Sequence, residues 1–140
     1  MPESFVLHAQ LEKDTFPLAE LSLCAVRAMD VAALPWLVLV PRVDGARDTI
    51  DLSTDAQRQL MEEIALVSRA LRAGFNPHKL NVAALGNVVP QLHVHVVARY
   101  TDDAAWPKPV WGNLPMQPYL TDQREEFRLI FAKALSSVKN

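Results

Sequence analysis

Cysteine is all but missing from this chain of 140 residues: Cys24 stands alone. A single thiol cannot close an internal disulfide, and without a CxxC pair there is neither a thiolate zinc motif nor a dithiol redox motif. Long apolar runs are missing too. The longest, 31–41, is about half of the roughly 20 residues that a membrane span needs. The opening Met1-Pro2-Glu3-Ser4 has neither the basic start nor the apolar stretch of a secretory signal. These absences point to the cytoplasm and to no membrane partner. Clustered Lys and Arg are absent as well, and the formal net charge is −2. A binder of nucleic-acid polymers needs a basic patch to neutralise phosphates, so that class is set aside. A small nucleotide needs only a local site and stays open. There is no repeat or low-complexity tract, and 50% apolar with 21% charged residues is ordinary for a folded domain.

The length suits one domain, 1–140, which buries about two-thirds of its unfolded surface without covalent staples. Phe16-Pro17 marks a turn or the start of a strand. Over 21–29 a weak alternation predicts a strand. Trp36-Leu37-Val38-Leu39-Val40, fenced by Pro35 and Pro41, reads as a buried strand paired with the previous one through 30–34. Thr54-Asp55-Ala56-Gln57 is a capping-box pattern. Leu60, Ile64, Val67 and Leu71 then recur at helical spacing and Gly74 is a natural stop, which predicts a helix over 54–73. Segments 79–85 and 91–100 read as strands flanking a turn at Gly86-Asn87. Pro107, Pro109, Pro115 and Pro118 make 106–118 an irregular loop. A last helix starts near Thr121 and gathers Phe127, Ile130, Phe131, Ala134, Leu135 and Val138 on one face. Strands before and after a central helix, with antiparallel hairpins on each side, indicate an α+β domain.

The chemistry-bearing residues fall in the strand read over 91–100. Residues two apart in a strand share a face, about 6.6 Å apart along the chain, so Gln91, His93 and His95 line one side and Leu92, Val94 and Val96 the other. Three readings compete. The pair can be polar residues on the wet face of an antiparallel sheet. It can supply two metal ligands, although no third ligand is linked to it by spacing among His8, His78 and Cys24. Or it can serve phosphate chemistry, one imidazole attacking phosphorus while its neighbour and nearby amides hold the oxygens.

The run Asn-Val-Ala-Ala-Leu-Gly-Asn-Val-Val-Pro-Gln-Leu-His-Val-His-Val-Val-Ala-Arg, residues 81–99, resembles the signature of the histidine triad (HIT) family. That signature is His-φ-His-φ-His-φ-φ with φ apolar, after a Gly- or Asn-containing turn and before a basic residue. Upstream, Asp30 and the run Pro-Trp-Leu-Val-Leu-Val-Pro-Arg at 35–42 resemble the family's polar nucleotide contact and its strand ending in proline. The likeness runs from about Cys24 to Arg99.

The resemblance implies an α+β, HIT-like fold: an antiparallel sheet of about five strands, a central helix and a C-terminal helix. It also implies a nucleotide-binding hydrolase or transferase acting at the α-phosphate of phosphoramidates or dinucleoside polyphosphates, without metal or cofactor. His93 takes the place of the family's nucleophile, and His95 that of the histidine that contacts phosphate oxygens and helps the leaving group depart. Gln91 replaces the first histidine as a supporting residue that can hydrogen-bond but not ionise. Asn87 and Asn81 stand where family amides reach phosphate, Asp30 where an acid holds the ribose, and Val88 where a hydroxyl donor is lost. The contrasting reading is a nucleotide-binding regulatory protein on the same fold with weak catalysis. Family members pair as homodimers, which is expected here as well. Trp36 reads as core or dimer packing rather than a platform for the base. The loop 106–111, Trp-Pro-Lys-Pro-Val-Trp, either flanks the site and screens the leaving group or packs on the last helix.

Overall fold

The structure is a computed structural model that describes residues 5–139; residues 1–4, read above for a secretory signal, lie outside the described residues with 140. Its elements, in chain order, are α1 (Ala9–Asp14), β1 (Thr15–Glu20), β2 (Cys24–Met29), β3 (Trp36–Pro41), α2 (Thr54–Phe75), β4 (Lys79–Ala83), β5 (Val94–Arg99) and α3 (Thr121–Val138). The five strands form one antiparallel sheet in the order β1-β2-β3-β5-β4. This is the α+β architecture that the resemblance implied.

β3 and β5 are buried along their whole length because both faces of the sheet are covered. On one face Val26, Leu37, Leu39, Val94 and Val96 pack against Leu60, Val67 and Leu71 of α2 and Phe127 and Phe131 of α3. On the other, Trp36, Val38, Val40 and Val97 meet Leu11 of α1 and Ala105, Val110 and Leu114 of the proline-rich loop. The second layer is thinner, and the two histidines lie within it.

Several boundaries differ from the sequence reading for identifiable reasons. The N-cap of α2 is Ser53, whose hydroxyl accepts from Ala56 N at 3.1 Å, rather than Thr54. Gly74 does not stop the helix. α2 runs on to Phe75 and ends at Asn76, which takes the left-handed conformation at φ 48°. Gly74 is small because α3 crosses there: a Cβ would lie 3.2 Å from both Ala134 Cβ and Ile130 Cγ2. α1 and β1 occupy the segment in which the sequence suggested only a turn or a strand start. Pro17 sits in edge strand β1 at a register shift, where its missing N–H leaves no gap in a central ladder. β5 begins at Val94, three residues later than the alternation suggested.

α2 also carries a buried charge that hydrophobic spacing does not reveal. Glu63 accepts from the amides of Leu23 and Cys24, both at 2.9 Å, and from Gln59 Nε2 at 2.7 Å. It ties the helix to the start of β2. Burial, then the Glu63 charge, push the Cys24 thiol well above its ordinary range, so the one cysteine is an inert core residue.

Candidate active site

Positions 93 and 95 lie at the β5 end of the sheet's central ladder. Val38 of β3 is directly opposite His95, and Trp36 opposite Val97. Because alternate residues share a face, Trp36, Val38, His93 and His95 converge on the layer below the proline-rich loop. Both histidines are buried, at 7% and 4% exposure, and their ring centroids are 5.0 Å apart. A wet sheet face would leave them far more open.

Each imidazole is held in a defined tautomer by a partner with a single possible role. His93 Nδ1 is 2.7 Å from the Gln91 carbonyl oxygen. A carbonyl only accepts, so Nδ1 carries the proton and the neutral ring keeps its lone pair on Nε2. His95 has the opposite arrangement. Trp36 Nε1 donates to its Nδ1 at 2.9 Å, which places the proton of the neutral ring on Nε2. Burial, reinforced by the neighbouring His93, lowers the His95 pKa to about 4. The site therefore pairs a His93 ring whose neutral form offers Nε2 as its lone pair with a His95 ring that is an uncharged N–H donor at neutral pH.

Both rings border a cavity of about 290 Å³ whose other walls include Leu11, Asp14, Met29, Val38, Asn87 and Trp111. Gly86 shapes one side. Its φ of +69° needs a residue without Cβ, and an added Cβ would sit 3.3 Å from the Val89 carbonyl. Trp111 meets the His95 ring edge-on at 5.1 Å and the Trp36 ring at 5.6 Å. Among the described residues no group of three or more His, Cys, Asp or Glu is arranged to hold a metal ion.

Residues 10–102 match the family model described as HIT domain. The chain belongs to the HIT family. Among solved structures, a histidine triad protein from Bradyrhizobium japonicum is 45% identical over 94% of this chain and 98% of its own, with a TM-score of 0.91. One from Marinobacter aquaeolei VT8 is 42% identical, covering 96% and 98% at the same TM-score. One from Sinorhizobium meliloti 1021 is 37% identical, covering 94% and 97%, also at 0.91. A search of curated protein sequences gave no match.

Within this HIT protein the other expected site residues separate. Asn87 reaches the histidine cavity, as does Val88, which is 90% exposed. Gln91 supports His93 through its backbone carbonyl. Its side chain turns away, donating to Val6 O at 2.9 Å and accepting from His8 N at 2.8 Å, so it fastens the N-terminal segment beside the site. Asp30 lies outside that cavity. It accepts from Tyr119 N and Arg124 Nη2, each at 2.9 Å, and lines an adjoining cavity of about 260 Å³ that shares Asp14 and Met29 with the first. Asn81 is also outside, accepting from Arg99 Nη1 at 2.9 Å. Arg99, the basic residue after the signature, is buried and paired with Asp103.

The 106–111 loop divides between its ends. Trp111 flanks the site, while Trp106 packs on His78 at 5.3 Å and under Arg99 at 5.5 Å. Sequence reasoning missed Leu11, Asp14, Met29 and the hydrogen bond from Trp36. No local signal pointed to the last, because the pairing of β3 with β5 that brings Trp36 to His95 joins strands that no hairpin connects.

Among the described residues no helix is long and apolar enough to cross a membrane.

Proposed function

We propose that the chain is a nucleotidyl hydrolase that attacks the α-phosphorus of nucleotide derivatives through a nucleotidyl-imidazole formed on His93. The observation that carries this reading is the His93 ring. Its Nδ1–H is committed to the Gln91 carbonyl, which leaves Nε2 as a free lone pair in a residue lining the cavity. Imidazole suits both halves of the reaction, because it is nucleophilic at neutral pH and departs well once bonded to phosphorus. The His95 Nε2–H and the Asn87 amide are the donors for the non-bridging oxygens. The nucleoside lies along Leu11, Met29 and Val38, with its ribose toward Asp30 through the adjoining cavity. The two cavities together fall within the roughly 300–1,000 Å³ of small-ligand sites. Trp111 covers the leaving-group side.

The test is to incubate the protein with adenosine 5′-phosphoramidate and with a dinucleoside polyphosphate, following AMP release and the mass of the acid-quenched chain. The expected result is turnover together with an adenylyl adduct mapped to the peptide carrying His93. Tight AMP binding without turnover of either compound would overturn the reading and leave a nucleotide-binding regulatory protein.

A second copy of the chain completes the proposal, in a cytoplasmic setting that suits a free, buried thiol. β4 is an open sheet edge with Val82 50% exposed, and α2 exposes Met61. Light scattering should give twice the chain mass, and a monomer across micromolar concentrations would dismiss the pairing.

A further inference from the structure

Trp36 is fully buried, contributes its only polar atom to the His95 hydrogen bond, and has no direct place on the cavity wall. An indole N–H can donate and never accept. The bond to His95 Nδ1 therefore exists only while that nitrogen is unprotonated. An imidazolium would set N–H against N–H at 2.9 Å, so protonating His95 requires breaking the bond and moving one of two buried rings packed edge-on at 5.8 Å. Trp111 closes the ring in from a third side.

We propose that Trp36 is a positioning residue that locks His95 as a neutral Nε2–H donor, and that the site therefore selects nucleotide derivatives whose leaving group departs as an anion without taking a proton. This rests on the hydrolase reading above and narrows its substrate class to anhydrides on the α-phosphorus. The lowered pKa of His95 agrees with the lock.

The two leaving-group types make different demands. With an anhydride, the His93 Nε2 lone pair forms the P–N bond, the P–O bond breaks, and the departing phosphate or carboxylate keeps the electron pair as a stable oxyanion. Water then attacks phosphorus, the P–N pair returns to Nε2, and the water's proton passes to solvent. With a phosphoramidate the bond that breaks is P–N of the substrate, and the amine must be protonated as it leaves. A neutral imidazole holds its remaining proton too tightly to give it. The other titratable groups facing the site do not supply one. Asp14, the carboxylate on the cavity wall, accepts from Gln10 Nε2 through both oxygens, and His93 is the nucleophile. Positioned general acids are worth about 10²–10⁴-fold, which sets the scale of the discrimination.

The experiment has two arms. In the unsubstituted protein, ¹⁵N NMR of histidine side chains from pH 5 to 8 should show His95 neutral throughout, with Nδ1 as acceptor. Its kcat/KM for a dinucleoside polyphosphate should exceed that for adenosine 5′-phosphoramidate by about 100-fold. In Trp36→Phe, His95 should titrate in this range and the preference should shrink by about 10-fold or more, a change that a general packing defect would not produce because it lowers both rates together. Comparable turnover of both compounds by the unsubstituted protein, or a protonated His95 at pH 6, overturns the proposal even if Trp36→Phe does not fold. Turnover of neither compound overturns the hydrolase reading instead, and the NMR arm then judges the lock by itself.

Discussion

A His93→Ala chain is expected to lose roughly 10³-fold or more in kcat/KM while keeping its fold. The direction follows from the tautomer geometry. Gln91 O holds the Nδ1 proton, so Nε2 is the one imidazole nitrogen in the site that offers a lone pair. His95 cannot take over, because its lone pair already accepts from Trp36. A 10³-fold loss corresponds to about 4 kcal/mol of transition-state stabilisation. The structural cost is smaller. Removing the ring leaves the Gln91 carbonyl short of one donor, which is worth about 1 kcal/mol. Steady-state kinetics with an anhydride substrate, alongside thermal melting, separates the two effects. A variant that retains more than a tenth of the activity would remove His93 from the nucleophile's role. One that loses activity only in proportion to its folded fraction would do the same.

His95→Asn supplies a useful contrast. It removes the Nε2–H donor but leaves the nucleophile, so the adenylyl adduct on His93 should still form, more slowly. The two histidines are two residues apart in sequence and alike in chemistry. The roles proposed for them differ because one ring nitrogen faces a carbonyl and the other an indole.

That difference also marks where sequence ceased to be informative. The period-two alternation of His93 and His95 against Val94 and Val96 is a local property, and it put both rings on one face, where they line a cavity. The long periodic faces of α2 and α3 were legible for the same reason. Register is not local. Trp36 reaches His95 because Val38 pairs with His95 across β3 and β5, and nothing in either segment alone states that pairing. The first turn of the site was missed because α1 is six residues long with Leu11 as its buried residue, too short to express a helical period. Gln91 misled in another way. Alternation put its side chain on the face of His93 and His95, but the strand starts at Val94, and before it the chain is free to turn that amide toward Val6 and His8. Gly74 reads as a helix stop by residue type, whereas its role is the close approach of α3.

Asp103→Ala should destabilise the protein by about 3–5 kcal/mol, the range for breaking one side of a buried ion pair. Asp103 and Arg99 side chains are 4% and 2% exposed, and their shortest contact is 2.9 Å. The carboxylate also accepts from the amides of Tyr100 at 3.0 Å, Ala105 at 3.0 Å and Trp106 at 2.8 Å. Alanine would leave a buried guanidinium without its countercharge and three amides without this acceptor, in a fold whose total stability is typically about 5–15 kcal/mol. Burial alone would raise the Asp103 pKa. The Arg99 hydrogen bonds and charge, with the loop amides, outweigh it and hold the group at about 2. Because the folded value lies below the unfolded one near 3.9, the stabilisation is complete above about pH 4 and is lost as pH falls toward 2. Urea unfolding at pH 7 and at pH 3 tests both parts: the gap between parent and Asp103→Ala should be wide at the first and narrower at the second. An Arg99→Met, Asp103→Leu double substitution should recover part of the loss, because neither partner is then left as a buried lone charge. Asp103 also fixes the start of the loop that brings Trp111 against His95, so Asp103→Ala should weaken substrate turnover beyond what its unfolded fraction explains. If the variant melts within about 1 kcal/mol of the parent, the Arg99–Asp103 pair is not what anchors that loop.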